Sequence, residues 1–192
     1  MVSRVQTRDR GEDWKKATPG TESAEDLRLW LRPTDLMPLD GIVLKTANQI
    51  VAGARTDEDK VQRIYDWIVL NTFREPKVKG CGIGDIKTML ETANLSGKCA
   101  DLNGLFVGLC RAVGVPARDV YGIRLADSAL FHSLGRSGTI TGAQHCRAEV
   151  WLDQAGWFAI DPADVRKAVL EEKLPIDAEP IRALRERLFG RW

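Results

Sequence analysis

Three residue types that together perform nucleophilic acyl transfer occur in the order cysteine, histidine, aspartate along this chain. Cys99 follows Ser96-Gly97 at the predicted start of the most clearly amphipathic helix in the sequence. A thiolate at a helix start is stabilised by free backbone N–H groups and by the helix dipole. The sequence therefore predicts that Cys99 is a nucleophile, whereas Cys110, inside the same helix, is predicted to be a packing residue.

A histidine and an aspartate lie on two predicted strands where they can assist such a thiol. An imidazole beside the thiol takes its proton and later returns it to a leaving amine, because its pKa lies near neutrality. An aspartate behind the imidazole fixes its tautomer and stabilises the imidazolium. His145 and Asp161 fit these roles, whereas His132, the only other histidine, lies in a predicted loop that gives no rigid support.

Hydrophobic alternation in residues 145–152 and 157–161 predicts how these two strands pair. The apolar side chains must share one face, and directly opposite residues share a face. A loop of three or five residues, with Trp151 opposite Trp157, satisfies both conditions. The set expected to be buried together is Cys146, Ala148, Val150, Leu152, Phe158 and Ile160.

The same pairing brings the histidine and the aspartate together on the other face. Arg147 is predicted to lie opposite Asp161, and His145 lies on the diagonal from Asp161. Diagonal neighbours are about 7–8 Å apart at the backbone, which side chains can bridge. Patterning alone therefore predicts that His145 and Asp161 are neighbours.

Each residue also has a purely structural interpretation. A cysteine in an apolar helix is usually a small core residue, and a lone strand histidine is usually structural. Asp161, before Pro162, can simply end a strand or form a surface ion pair with Arg147. The joint occurrence of all three on one predicted face favours catalysis.

The elements that must position these residues change type along the chain. Helical periodicity dominates the first part, and period-two alternation follows it, which is an α+β pattern. Helices are predicted over residues 40–54, from Thr56, over 85–92, from Cys99 to Val113, and over 164–173 and 178–189. Strands are predicted over 27–31, 117–125, 145–152 and 157–161, with loops over 74–84 and 126–143.

Composition excludes several classes of function. The chain has 192 residues, 44% hydrophobic and 29% charged, as in one globular domain. Its net charge of +1 gives no basic surplus for nucleic acid, and its apolar runs are too short to cross a membrane. Four cysteines without CxxC spacing and two histidines favour neither a metal site nor a disulfide scaffold, and no cofactor is predicted.

The two ends of the chain carry further expectations. Residues 1–30 form a polar N-terminal segment, of which 1–26 are expected to be partly mobile or draped on the surface, and 31–192 form the domain. No apolar leader is present, which predicts a cytoplasmic protein as the chain stands, or a periplasmic or secreted one if a leader was removed. Phe189 and Trp192 near the C-terminus suggest a longer parent protein.

Longer stretches resemble one known family. The run Gly97-Lys98-Cys99-Ala100-Asp101-Leu102-Asn103, continuing through LFVGLCRAVGVPARDVYGIRL, resembles the core motif of the transglutaminase-like superfamily. HCRAEVWLDQAGWFAIDPADV, with His145 and Asp161, resembles its second part, and DEDKVQRIYDWIVLNTFR resembles the preceding helix of bacterial members. The resemblance covers about residues 40–170. It implies a papain-like fold, in which the nucleophile helix packs on an antiparallel sheet, and its order of Cys, His and Asp matches this chain.

The resemblance also implies a range of activities. The superfamily includes crosslinking transglutaminases, cysteine proteases, peptide N-glycanases and members that have lost the triad. This chain is far smaller than the animal crosslinking enzymes and lacks a calcium loop of the D-x-[DN]-x-[DN]-G type. Both features favour an amide-cleaving thiol enzyme or a small metal-free acyl transferase, with a peptide or protein as its substrate.

Two alternatives from other classes remain at this stage. A non-catalytic module could bind peptides or sugars through Trp151 and Trp157, which otherwise are expected to line the wall of the cleft. A redox protein could pair Cys99 with Cys81 or Cys146, although strand parity points Cys146 into the core, away from His145.

The oxyanion of an acyl-transfer reaction needs hydrogen-bond donors near the thiol. The backbone N–H of Cys99 is one expected donor, because it lies at a helix start. Asn94, five residues earlier, is the expected second donor, unless it caps the preceding helix.

Overall fold

The structure is a computed structural model that describes Arg4, Gln6 and residues 19–136 and 138–190. The predicted mobile or draped segment over residues 1–26 lies largely outside the described residues, and Trp192 lies outside them as well.

Helices precede and follow a small antiparallel sheet in the described part of the chain. The helices are α1 (Ala24–Leu29), α2 (Gly41–Ile50), α3 (Asp57–Asn71), α4 (Ile86–Glu91), α5 (Cys99–Ala112), α6 (Pro162–Glu171) and α7 (Glu179–Arg187). The strands are β1 (Phe73–Arg74), β2 (Ser96–Gly97), β3 (Ala117–Ile123), β4 (Gln144–Leu152) and β5 (Gly156–Ile160). The predicted α+β fold class is confirmed.

The N-terminal strand predicted over residues 27–31 is wrong, because residues 27–29 belong to α1 and residues 30–31 form the turn after it. Ser23 caps the helix by accepting a hydrogen bond from the Asp26 N–H at 3.0 Å, and Glu25 and Asp26 place negative charge in its first turn. These local contacts favour a helix. Over so few residues they outweigh the period-two alternation of the three leucines.

The central helix α5 begins at Cys99, as predicted, and every residue from Cys99 to Cys110 is buried. The helix packs both on the strands β3 and β4 and on the helices α2, α3 and α6. The helix therefore forms the centre of the core, and its first residue lies where the helices meet the sheet.

The three-stranded sheet has the order β3-β4-β5 and is antiparallel throughout. The β4–β5 loop contains three residues and Trp151 pairs with Trp157, which confirms the predicted register. All six side chains of the predicted apolar set are buried. The ladder ends one pair before Arg147 and Asp161, because Asp161 leaves the sheet to become the N-cap of α6.

A core substitution in α5 is expected to be costly. Replacing Phe106, which is fully buried, with Ala should lower the free energy of unfolding by about 3–5 kcal/mol, since it leaves a cavity. Urea unfolding followed by circular dichroism measures this loss. Leu70→Ala, at a side chain that is 55% exposed, serves as the control and should change stability by about 0.5 kcal/mol or less. Equal losses in the two variants would contradict the central position of α5.

Within the described residues, every helix is too short or too polar to cross a membrane.

Candidate active site

The start of α5 is fixed by the carboxylate of Asp101. One oxygen accepts a hydrogen bond from the Lys98 N–H at 2.9 Å, and the other accepts from the N–H groups of Ile83 and Gly84, each at 2.9 Å. A Cβ at Gly97 would collide with this carboxylate. Asp101 therefore holds the helix start and the preceding loop together, so that Cys99 is presented on rigid backbone.

The sulfur of Cys99 lies among groups that favour its anion. A hydrogen bond from the Cys146 thiol, opposed by burial and reinforced by a hydrogen bond to the His145 ring, lowers the pKa of Cys99 to about 3. The Cys146 backbone N–H acts in the same direction. The carbonyl oxygen of Cys81 is 3.9 Å from the sulfur. At neutral pH this environment favours a thiolate.

The ring of His145 joins the sulfur to a buried carboxylate. Its Nε2 is 2.5 Å from Asp161 Oδ2 and 3.6 Å from Asp164 Oδ2, which leaves Nδ1 to face the thiol. Burial lowers the pKa of His145, but the charges of Asp161 and Asp164 and the hydrogen bond to Asp161 raise it to about 10 overall. An imidazolium beside a thiolate is the arrangement that activates a cysteine nucleophile.

Asp161 is fully buried and is held by more than the histidine. Its Oδ1 accepts hydrogen bonds from the Asp164 N–H at 3.0 Å, as the cap of α6, and from Asn103 Nδ2 at 3.1 Å. Burial and the negative charge of Asp164 raise the pKa of Asp161 overall, although the ion pair with His145 and the hydrogen bond from Asn103 oppose the rise. These contacts fix the carboxylate that orients the imidazole.

Asn103 is a site residue that the sequence analysis missed. It lies one helical turn after Cys99, is fully buried, and donates from Nδ2 to the Cys146 carbonyl oxygen at 2.8 Å as well as to Asp161. Its Oδ1 accepts from the Ala163 N–H at 3.3 Å. The sequence could have indicated Asn103 through its carboxamide on the buried stripe of an apolar helix, because a buried polar group needs hydrogen-bond partners.

Two further residues beside His145, Arg124 and Asp164, were not predicted from the sequence. Arg124, just beyond β3, donates to Asp164 Oδ1 at 2.6 Å and to the Leu134 carbonyl oxygen at 2.6 Å. Asp164 thus shares its negative charge between Arg124 and His145. The contact ties the loop after β3 to the first turn of α6.

One group of donor atoms in the described residues is compact enough for a metal ion. The donor atoms of His145, Asp161 and Asp164 lie within 4.8 Å of one another. Asp161 is already engaged by Asn103, and Asp164 by Arg124. An ion bound there would compete with the His145–Asp161 contact and with a guanidinium, so these residues fit an ion pair better than a metal.

The expected oxyanion donor Asn94 is not directed at the thiol. Asn94 is exposed, and its Oδ1 accepts hydrogen bonds from the Ser96 hydroxyl at 2.6 Å and from the Ser96 N–H at 3.3 Å. These bonds form a local Asx turn after α4. The Asn94 side chain therefore serves the turn, and the expectation is corrected.

The two tryptophans of the hairpin lie away from the thiol. Trp151 and Trp157 are in contact with each other, and Trp157 is also against Trp30, with ring centroids 6.0 Å apart. Arg118 stacks over the Trp157 ring at 3.7 Å. Trp151 lies six positions after His145 on β4, which is about 20 Å along a strand. This distance removes both tryptophans from the wall of a cleft at Cys99, and also the basis for an aromatic ligand site there.

His132, the other histidine, is exposed in a short 3₁₀-helix over His132–Leu134. The hydrogen bond to Asp161 belongs to His145 alone among the two histidines, as strand parity predicts.

The other cysteines near the site are free thiols. Burial and the hydrogen bond to Cys99 raise the pKa of Cys81 to about 11, and the hydrogen bond with Cys99 together with burial raises that of Cys146. Cys146 is buried on the core face, as parity predicts, but this face meets the start of α5. Its thiol therefore contacts Cys99 as well, a contact that strand parity alone does not predict.

Comparisons with known proteins agree with this architecture. The core profile of the transglutaminase-like superfamily matches residues 44–162. An uncharacterized protein of Haemophilus influenzae is 38% identical over 177 residues, which are 87% of this chain and 48% of that protein. The chain thus spans about half the length of this relative.

Two solved structures share the fold at low sequence identity. One, described as a candidate cysteine protease of Cytophaga hutchinsonii, is 22% identical with a TM-score of 0.56, over 77% of this chain and 45% of that one. The periplasmic domain of TgpA from Pseudomonas aeruginosa is 18% identical with a TM-score of 0.58, over 85% of this chain and 53% of that one. At these identities the likeness concerns the fold alone.

Proposed function

Because this chain belongs to the transglutaminase-like superfamily, we propose that it is a thiol-dependent acyl-transfer enzyme acting on amide bonds of peptides or proteins. The observation that carries the proposal is the hydrogen-bonded series through the His145 ring, with Cys99 on one side and Asp161 on the other. A purely structural cysteine needs neither partner.

The proposed reaction begins with attack of the Cys99 thiolate on the amide carbonyl carbon. The His145 imidazolium gives its proton to the leaving amine nitrogen, and a thioester remains on the sulfur. Neutral His145 then takes a proton from water or an incoming amine, which attacks the thioester and releases the thiolate. Asp161 keeps the ring oriented and stabilises its charged form in both halves of the reaction.

The oxyanion of each tetrahedral intermediate needs a donor at the helix start. The Cys99 backbone N–H has no hydrogen-bond partner among the described residues, whereas its neighbours Lys98 and Ala100 donate to Asp101 and Cys81. This N–H is therefore the donor proposed for the oxyanion.

Alkylation by iodoacetamide tests the activated thiol without knowledge of the substrate. At pH 5, Cys99 should react while the other three cysteines do not, because the low pKa of Cys99 leaves it ionised and the pKa values of its neighbours are raised. The rate should be flat from pH 5 to pH 7, whereas the rate of a free thiol, with a pKa of about 8.5, rises about tenfold per pH unit there.

Peptide mass mapping after alkylation identifies the labelled cysteine, and Cys110→Ala, which leaves the site intact, serves as the control variant. A labelling rate that rises through the normal thiol range would contradict an activated nucleophile and favour a non-catalytic module. Detection of a disulfide between Cys99 and Cys81 in the untreated protein would instead favour the redox alternative.

A further inference from the structure

Strand β3 carries a carboxylate and a phenol towards the start of α5. In the β3–β4 register, Tyr121 is paired with Cys146 and Asp119 with Ala148, so both side chains lie on the sheet face that α5 covers. The Cys146 thiol on this face contacts the Cys99 sulfur. Asp119 and Tyr121 therefore flank the nucleophile from the side of the sheet.

The charges of these groups act on one another. Burial raises the pKa of Asp119 to about 6, with Arg111 opposing the rise and the negative charge of Cys99 adding to it. Burial raises the pKa of Tyr121 to about 12, with contributions from Asp119, Cys146, Cys81 and Cys99. Asp119 is thus mainly a carboxylate at neutral pH, and Tyr121 is an uncharged phenol.

No described residue forms a hydrogen bond or a close ion pair with this carboxylate, although the charge of Arg111 acts on it from farther away. Oδ1 of Asp119 is buried and has no hydrogen-bond partner among the described residues. The guanidinium of Arg111 donates to the carbonyl oxygens of Ala117 at 2.8 Å and Arg32 at 2.9 Å. Arg118 is committed to Glu149 on the other face of the sheet.

An unpaired, largely buried carboxylate is costly unless a cation or donor comes to it. Every other buried carboxylate at this site has such a partner: Asp101 has three backbone N–H groups, Asp161 has His145, and Asp164 has Arg124. Tyr121 is 68% exposed and provides an aromatic face at the rim, where a cation also binds favourably.

We propose that Asp119, with Tyr121 at its rim, binds an alkylammonium group of a substrate beside Cys99. The ammonium belongs either to an acceptor molecule whose second, neutral amine takes the acyl group or to a basic side chain next to the amide that is attacked. This inference rests on the proposed acyl-transfer function and deepens it, because it names the charge of the substrate group.

Two small alkylating agents test the charge preference directly. 2-Bromoethylammonium carries the proposed cation, iodoacetamide is neutral, and each rate is divided by the rate with free 2-mercaptoethanol. In the wild-type protein the cationic reagent should be favoured at Cys99, and Asp119→Asn should reduce this preference about fivefold or more, the effect of one charge at about 4 Å in a watery site. Asp177→Asn, at an exposed aspartate, should leave it unchanged.

The outcomes separate the two proposals. Rapid alkylation by iodoacetamide without a preference for the cation, or a preference that survives Asp119→Asn, overturns the ammonium site and leaves the activated thiol standing. Cys99 that reacts with neither reagent overturns the acyl-transfer function and the ammonium site with it.

A second measurement distinguishes the two sources of the ammonium group. The acetyl-enzyme formed from p-nitrophenyl acetate transfers its acetyl group either to water or to added cadaverine. The ratio of the two products, N-acetylcadaverine and acetate, is measured. A lower ratio in Asp119→Asn assigns the ammonium to the acyl acceptor. An unchanged ratio, with the alkylation preference lost, assigns it to the acyl donor.

Discussion

Replacing Cys99 with Ala should abolish turnover of a minimal acyl donor. With p-nitrophenyl acetate, the release of p-nitrophenol should fall by about 10⁶-fold, or to the rate of the background reaction where that is reached first, since removal of the nucleophile of a triad removes nearly all covalent catalysis. The acetyl group on Cys99 should be visible as added mass in the wild-type protein quenched with acid. It should be absent from the variant.

Cys110→Ala is the matched control, because Cys110 lies in the same helix and is fully buried but faces no charged partner of the site. This variant should retain turnover while losing some stability. Equal turnover in Cys99→Ala and the wild type, or an acetyl group carried by another residue, would contradict Cys99 as the nucleophile. Unfolding curves of both variants show whether a loss of activity reflects a loss of fold.

Most of the fold could be predicted because its signals are periodic and local. The buried stripe of α5 and the Gly114 that follows it define a helix whose first residue is Cys99, and alternation in β4 and β5 leaves one register that buries every apolar side chain. The proximity of His145 and Asp161 follows from that register. The strand prediction over Leu27–Leu31 fails for a related reason, because five residues are too few for a period of two to outweigh an N-cap.

The remaining parts of the site depend on contacts distant in sequence. Asn103 contacts Asp161 across 58 residues, and Arg124 contacts Asp164 across 40; no local pattern contains either pair. Its closeness to Cys99 in sequence favours Asn94 as the oxyanion donor, yet a short polar side chain before a turn usually bonds its own backbone. The side chain that contacts the site is the asparagine inside the helix.

The packing of α5 on the sheet gives Cys146 a contact that the correct strand prediction does not include. Parity places Cys146 on the core face, opposite to His145, and the structure agrees. The start of α5 meets the edge of this face, so that the Cys99 sulfur contacts the thiol and N–H of Cys146 and also reaches the His145 ring. Strand parity assigns each residue to one face of the sheet. The position of the start of α5 decides which groups from the two faces contact Cys99.

Asp161→Asn should weaken turnover severely but less completely than Cys99→Ala. The loss should be about 10³- to 10⁴-fold in kcat, as when the aspartate of a catalytic triad becomes an amide. The substituted side chain keeps the shape of the aspartate, but its NH₂ group can donate to His145 Nε2. Neutral His145 would then carry its proton on Nδ1, facing the sulfur, and could no longer accept a proton from the water or amine that attacks the thioester.

The pH dependence of this variant gives a signature that a merely structural role would not produce. The negative charges of Asp161 and Asp164 raise the pKa of His145 to about 10 against the effect of burial. Removing the charge of Asp161 should therefore lower the pKa of His145. Because the reactive state needs the imidazolium, the fall of the acetylation rate at high pH should begin at a lower pH in Asp161→Asn than in the wild type.

Glu149→Gln is the control for the loss of a buried carboxylate from the same sheet. Glu149 lies on β4, is buried, and pairs with Arg118 at 2.8 Å, but no contact joins it to the thiol or to His145. Its variant should keep both the rate and the pH limit of the wild type. If Asp161→Asn did the same while remaining folded, His145 would have to act without a charged partner. The carboxylate would then serve only as the cap of α6, where its bond from the Asp164 N–H would persist through the carbonyl oxygen of the amide.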